Sequence, residues 1–104
     1  MRKRRYEILL PLTHNDGRPI DPERFRQTQD ELLDRFEGAS ILPGTVRGFW
    51  VHGGTRYEDD SLLIRVDTGT TKEDRHFFVR LKETLKERFE QIEIYIVSYA
   101  IEIH

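Results

Sequence analysis

IEIYIVSYAIEI, residues 92–103, closes the chain and predicts a long strand, because apolar residues alternate along both of its sides. One side carries Ile92, Ile94, Ile96, Ser98 and Ala100, and the other carries Tyr95, Val97, Tyr99, Ile101 and Ile103. A strand with one solvated face alternates apolar and polar residues instead. We therefore expect helices to cover one face of the sheet and a partner to cover the other.

A helix precedes this strand. Thr70 and Glu73 have the spacing of a capping box, with Thr70 as the cap. Apolar residues then recur at helical spacing and predict the buried stripe of the helix. They are Phe77, Phe78, Leu81, Leu85 and Phe89.

The first half of the chain has the same order, a strand followed by a helix. Residues 6–12 alternate as a strand, in which Pro11 should interrupt pairing on one side. Asp21, Pro22 and Glu23 form a helix start, and Gly38 is a stop signal. The buried stripe of this helix is predicted to be Phe25, Leu32, Leu33 and Phe36.

Two further strands separate the helices. Pro43 and Gly44 turn the chain into a strand over residues 45–52. Gly53 and Gly54 start a connection that runs through the polar residues 55–60, and residues 62–66 form the next strand. The order β-α-β-β-α-β predicts a single α+β domain over residues 1–104, with a four-stranded antiparallel sheet and two helices on one face. In this ferredoxin-like arrangement the first and third strands are central.

Composition narrows the functional classes. The 104 residues have a net charge of -2 and contain no cysteine, so neither disulfides nor cysteine-ligated zinc can form. The acidic balance argues against a nucleic-acid clamp. The basic run from Arg2 to Arg5 is interpreted as a solvated tail. No stretch has the roughly 20 apolar residues that span a bilayer, so we expect a cytoplasmic protein.

Several short motifs resemble a bacterial family of unknown function whose members are often predicted lipoproteins. The matching residues are Asp16-Gly17, Arg35-Phe36, Gly48-Phe49-Trp50, Glu58-Asp59-Asp60-Ser61 and Lys86-Glu87-Arg88-Phe89-Glu90-Gln91. The resemblance covers about nine-tenths of the chain and implies the fold without an activity. This chain differs from the family in having no lipoprotein signal and no lipidated cysteine, so the resemblance does not imply an envelope protein.

Histidines and acids were considered as metal ligands or catalysts. His14, Asn15 and Asp16 could join His52 and residues 58–60, but their spacing is not that of a metal motif and turn chemistry explains the loop. No nucleophile motif surrounds His76, which is interpreted as a solvated helix residue. His104 is terminal. We therefore predict neither a metal nor a cofactor.

Aromatic residues suggest two further kinds of site. Phe49, Trp50 and Tyr57, with Arg47 and Arg56, could stack RNA bases, but residues 61–66 contain no aromatic residue, which argues against an RNA-recognition sheet. A small organic ligand could be oriented by an imidazole and aromatic side chains. The candidates are Trp50, His52, Tyr95 and Tyr99, with His52 as the candidate catalyst.

Three functions follow from these observations. The leading prediction is a non-catalytic, self-associating domain, most simply a homodimer, because the final strand is apolar on both faces. Its predicted interface is Tyr95, Val97, Tyr99 and Ile101, extended by Leu9, Phe49 and Val51. The first alternative is a small dimeric α/β-barrel-like enzyme or small-molecule-binding protein. The second is a nucleic-acid-binding protein that uses Arg2 to Arg5.

Overall fold

The computed structural model describes residues 1–36, 38–42 and 44–104. These residues form five strands and two helices: β1 (Arg2–Pro11), α1 (Pro22–Phe36), β2 (Ser40–Ile41), β3 (Val46–His52), β4 (Thr55–Thr68), α2 (Lys72–Arg88) and β5 (Tyr95–Glu102). The strands make one antiparallel sheet in which β1 and β4 are central, β5 flanks β1, and β2 and β3 both pair with β4. The predicted ferredoxin-like α+β fold is confirmed.

The core lies between the two helices and one face of the sheet. Alternation along β1 buries Tyr6, Ile8 and Leu10, which pack with Leu32 of α1. Tyr6 stacks on Phe78 of α2 with ring centroids 3.7 Å apart. The predicted helical stripes are confirmed except at Leu33, which is 39% exposed because it lies at the edge of the apolar stripe.

Polar caps set where the helices begin. Asp21 accepts a hydrogen bond from the Glu23 N–H at 3.0 Å, as the cap signal predicts. The prediction that Thr70 caps α2 is wrong. Thr71 is the cap, and its hydroxyl accepts from the Asp74 N–H at 3.2 Å. Two adjacent threonines present the same signal, and the path of the chain after β4 places the second one at the helix start.

Arg88 joins the carboxyl end of α2 to α1. Its guanidinium donates to the Thr28 hydroxyl at 2.9 Å and to the Glu31 carboxylate at 2.5 Å. The Arg88 side chain is only 9% exposed and that of Glu31 is 37% exposed, so the arginine end of the pair is shielded from solvent. Breaking one partner of such a pair leaves an unbalanced charge, so the contact holds the helices in register.

The interpretation of Arg2 to Arg5 as a solvated tail is wrong, because these residues begin β1. Arg2 pairs with Glu102 of β5, and the Arg4 guanidinium donates to the Ser98 hydroxyl at 3.0 Å. Residues 2–5 thus form a strand through their partners on neighbouring strands, although they carry no apolar side chains. Pairing with β5 ends at Leu9, whereas pairing with β4 continues to Pro11, which confirms the predicted one-sided interruption.

The middle of the chain differs most from prediction. Residues 55–60, expected to be a connection, form the first part of β4 and pair with β3. The turn is only Gly53 and Gly54, at φ +57° and +79°, the left-handed values of a two-residue hairpin turn. No residue of β3 is buried, so the hairpin lies outside the core and does not require apolar side chains. The chain turn expected at Pro43 falls partly outside the described residues, and β2 was not predicted.

The final strand is shorter than predicted. It begins at Tyr95 rather than at Ile92. The Ile94 N–H is held by the Glu93 carboxylate at 3.0 Å, and the Ile94 side chain is buried in the core. The apolar alternation therefore begins before the strand does, because Ile94 already faces the helices.

Candidate functional site

The strand register defines which residues share the sheet face that the helices leave bare. Three rows of residues cross β4, β1 and β5 in that order. They are Leu63–Leu9–Tyr95, Arg65–Glu7–Val97 and Asp67–Arg5–Tyr99. Ile101 aligns with Lys3 one step further. We call these eleven residues the outer face.

Two ion pairs cross the centre of the outer face. Arg5 donates to both carboxylate oxygens of Asp67, at 2.7 and 3.0 Å. Arg65 donates to one oxygen of Glu7 through two nitrogens, at 3.1 and 2.8 Å. The hydrogen bond from Arg5 holds the pKa of Asp67 below its usual range. The charges of these four residues therefore balance within the chain.

Apolar and aromatic side chains occupy the β5 side of the outer face. Tyr95 is 60% exposed and Tyr99 is 41% exposed, while Val97 and Ile101 are half-buried. The structure thus places all four predicted interface residues on one surface. Leu9 lies there too, as expected, but Phe49 and Val51 do not, because cross-strand pairing puts them on the opposite face of β3 from Trp50.

Trp50 is held rigidly on the hairpin. It is opposite Tyr57 of β4, and the two rings stack with centroids 4.4 Å apart. Its indole N–H donates to the Asp59 carboxylate at 2.5 Å. The Trp50 side chain is therefore oriented by an aromatic neighbour on one side and by a hydrogen bond at its edge.

A groove of about 320 Å³ lies between this hairpin and the start of β5. It forms because β1 pairs with β5 only up to Leu9, so the two sides of the sheet separate beyond that point. We call it the aromatic groove. Its lining residues are Leu9, Pro11, Gly48, Phe49, Trp50, Asp59, Ser61, Gln91, Glu93, Ile94 and Tyr95.

The aromatic groove brings together two of the four predicted ligand-binding residues. Trp50 and Tyr95 line it, whereas His52 and Tyr99 do not. His52 lies at the hairpin tip, with its ring 6.3 Å from that of Trp50, and Tyr99 lies beside Arg5 further along β5. Asp59 was considered only as a metal ligand, and Gln91 was not considered as a site residue. The two-residue spacing of Tyr57 and Asp59 indicates that they share a face of a strand. The sequence does not show that Trp50 of β3 is paired beside them.

The loop that carries His14 lies close to the acidic part of β4. His14 and Asn15 border a second cavity, of about 570 Å³, with residues 56–59. His14 Nδ1 is 2.9 Å from a Glu90 carboxylate oxygen. Within residues 1–36, 38–42 and 44–104, however, no group of three or more His, Cys, Asp or Glu could hold a metal ion.

The remaining candidates are exposed, and among them Phe49 also lines the aromatic groove and Arg56 borders the second cavity. His76 is exposed on α2. Phe49 is 56% exposed, with the Arg56 guanidinium 5.2 Å from its ring centre. The outer face of β1 and β4 carries Leu, Arg, Glu and Asp rather than aromatic residues, so the stacking surface of an RNA-recognition sheet is not formed there.

Comparisons with known proteins identify structures that share the fold but do not identify a family. No protein-family model matches the chain, and no curated protein is significantly similar to it in sequence. In the described part of the chain, no helix is both long enough and apolar enough to cross a membrane.

Three solved structures illustrate the shared fold. A phage SAM lyase in complex with S-methyl-5′-thioadenosine has a TM-score of 0.67 at 20% identity, covering 97% of this chain and 90% of the lyase. The divalent cation tolerance protein CutA from Thermus thermophilus has a TM-score of 0.64 at 24% identity, covering 100% and 87%. The periplasmic CutA from Archaeoglobus fulgidus has a TM-score of 0.63 at 17% identity, covering 100% and 87%. At such identities the likeness extends to fold alone.

Proposed function

We propose that this chain is a self-associating domain without catalysis of its own, most simply a homodimer, that buries its outer face against a second copy. The observation that carries this proposal is the apolar β5 side of that face, formed by Tyr95, Val97, Tyr99 and Ile101. In a two-layer domain such a face is normally polar. A contiguous apolar patch of this kind is typical of an interface.

Four of the five charged residues on the outer face, all but Lys3, are paired with one another, so they oppose burial less than unpaired charges would. An unpaired charge is costly to bury, whereas a hydrogen-bonded pair is less so. Arg5 is already satisfied by Asp67, and Arg65 by Glu7. A second copy can therefore cover this face without having to supply a countercharge at each position.

Free strand edges and excess surface point in the same direction. Among the described strands, none pairs with the outer edge of β5, and residues 55–59 of β4 pair only with β3. Exposed edges are sites of strand pairing between chains. The chain also exposes 6926 Å². A compact monomer of its mass would expose about 6100 Å².

Light scattering on a sizing column tests self-association. The unaltered chain should elute as a multiple of its 12.4 kDa mass. The double variant Val97→Lys, Ile101→Glu should elute as a monomer, because it replaces two of the four interface side chains, both apolar, by charged ones. Each new charge faces an opposite one across the strand pair, Glu7 and Lys3, so the fold should persist.

Val79→Glu is the matched control for this test. Val79 is 62% exposed on α2, away from the sheet. A new charge there should leave the mass unchanged. A single 12.4 kDa species for the unaltered chain up to millimolar concentration contradicts the proposal.

The aromatic groove favours a second candidate function, the binding of a small molecule. Its volume of about 320 Å³ lies within the range of ligand sites, and its lining is mainly apolar with a few polar groups. S-methyl-5′-thioadenosine, which the phage SAM lyase structure contains, is a first probe. Binding should shift the single tryptophan indole N–H signal in an NMR spectrum, since Trp50 is the only tryptophan. An unchanged signal at millimolar probe excludes this compound.

A further inference from the structure

The charged residues that line the aromatic groove are all acidic. Its lining includes the carboxylates of Asp59 and Glu93 but no lysine or arginine. Glu93 is balanced by Lys82, whose ammonium lies 3.0 Å away. Asp59 is in no ion pair among the residues that the structure describes.

The neighbours of Asp59 show that its lack of a cation is specific to its position. Glu58 is 3.6 Å from Arg56, and Asp60 is 3.1 Å from Arg47. Both lie on the opposite face of the hairpin, because side chains alternate along β4. Of the three acids, Asp59 alone points to the groove side, where among the described residues its side-chain donor is the neutral indole N–H of Trp50.

Gly48 leaves space beside this carboxylate. It is the cross-strand partner of Asp59, and a side chain at that position would stand next to the carboxylate. A Cβ built on Gly48 would have no heavy atom closer than the Asp59 carbonyl oxygen at 4.0 Å. The groove therefore has room for a ligand group next to Asp59.

Two aromatic side chains border the same space. Trp50 is fixed by Tyr57 and Asp59, so its ring is preorganised. Tyr95 is 60% exposed on the other side of the groove. An aromatic ring face attracts a cation, and the attraction grows when the site is partly shielded from water. Aromatic walls together with an unbalanced carboxylate select a positively charged, flat molecule.

We propose that the aromatic groove binds a planar organic cation, an N-alkylated aromatic ring, with the ring against Trp50 and its charge near Asp59. This proposal rests on the second candidate function, because it names the ligand class for the same groove. It requires the groove to stay open beside Leu9 and Tyr95, which the groove shares with the outer face.

N-methylquinolinium and neutral quinoline are matched probes for this proposal. They have the same ring system and differ in the N-methyl group and its charge. Titration against the ¹⁵N-labelled full chain, followed by the Trp50 indole signal, gives an affinity for each. The cation should bind on the order of tenfold more tightly, in line with a partly shielded cation–π contact plus a carboxylate.

Asp59→Asn separates charge from structure. Asparagine keeps a side-chain oxygen that can accept from the Trp50 indole, but it removes the negative charge. The preference for N-methylquinolinium over quinoline should then disappear. Asp60→Asn, which removes the adjacent carboxylate on the opposite face, should preserve the preference.

The outcomes distinguish failure of the proposed ligand class from failure of the groove as a binding site. Equal affinity for the two probes in the unaltered chain overturns the cation proposal and leaves small-molecule binding standing. If neither probe shifts the indole signal at about 10 mM, both the cation proposal and small-molecule binding in the groove are overturned. A preference that survives Asp59→Asn also overturns the proposal, because the charge would then act from elsewhere.

Discussion

At the residue scale, position rather than type decides what an acidic side chain does here. Glu58, Asp59 and Asp60 form one acidic run in sequence. In the fold, alternation along β4 sends the first and third to arginines on one face and the second to the Trp50 indole on the other. The function proposed for Asp59 follows from this alternation.

Asp67 should make stability depend on pH. Its pKa is lowered in the folded chain by the hydrogen bond from Arg5, so its contribution is present above the unfolded pKa of about 3.9 and is lost as pH falls further. Asp67→Asn should therefore lower the free energy of unfolding at neutral pH. The difference from the unaltered chain should shrink below about pH 4. Urea unfolding measured from pH 7 to pH 2.5 checks this.

Asp34→Asn is the control for that measurement. Asp34 is an exposed carboxylate on α1, and among the described residues it is in no ion pair. Its replacement should leave the pH profile unchanged. A constant difference between Asp67→Asn and the unaltered chain across the whole pH range would show that the Arg5–Asp67 pair does not stabilise the fold through charge.

At the element scale, a single hydroxyl sets the start of α2. Thr71→Ala should destabilise the chain by about 1 kcal/mol, because the Asp74 N–H would lose its cap. Thr70→Ala, one residue earlier, should change the free energy of unfolding by less than about 0.5 kcal/mol. Chemical unfolding of the two variants side by side provides the measurement, and equal losses would contradict the assignment of Thr71 as the cap.

At the scale of the whole molecule, the hairpin and the bare sheet face give the chain its elongated shape, 42 Å in its longest dimension against 29 and 26 Å. A two-stranded hairpin has little stability alone, so the extension favours contact with a second copy. The homodimer, the cytoplasmic location and the resemblance to a lipoprotein-like bacterial family all stay predictions.

The sequence by itself determined the elements that depend on local chemistry. Asp21 and Pro22 marked the start of α1, and helical spacing marked Phe78, Leu81 and Leu85 as core. The order of elements was enough to predict the ferredoxin-like sheet with its two central strands. These features could be read from the sequence because capping, helical spacing and chirality act over a few residues.

The tertiary structure alone decided which side chains meet. Alternation tells which residues share a face within one strand, but the register between strands sets how faces combine, and a shift of one residue reverses them. That is why Val51 was grouped with Tyr95 in error, and why the partnership of Trp50 with Asp59 was not foreseen. The first part of β4 was missed for a related reason. It is held by pairing with β3 outside the core, and pairing leaves no apolar pattern in the sequence.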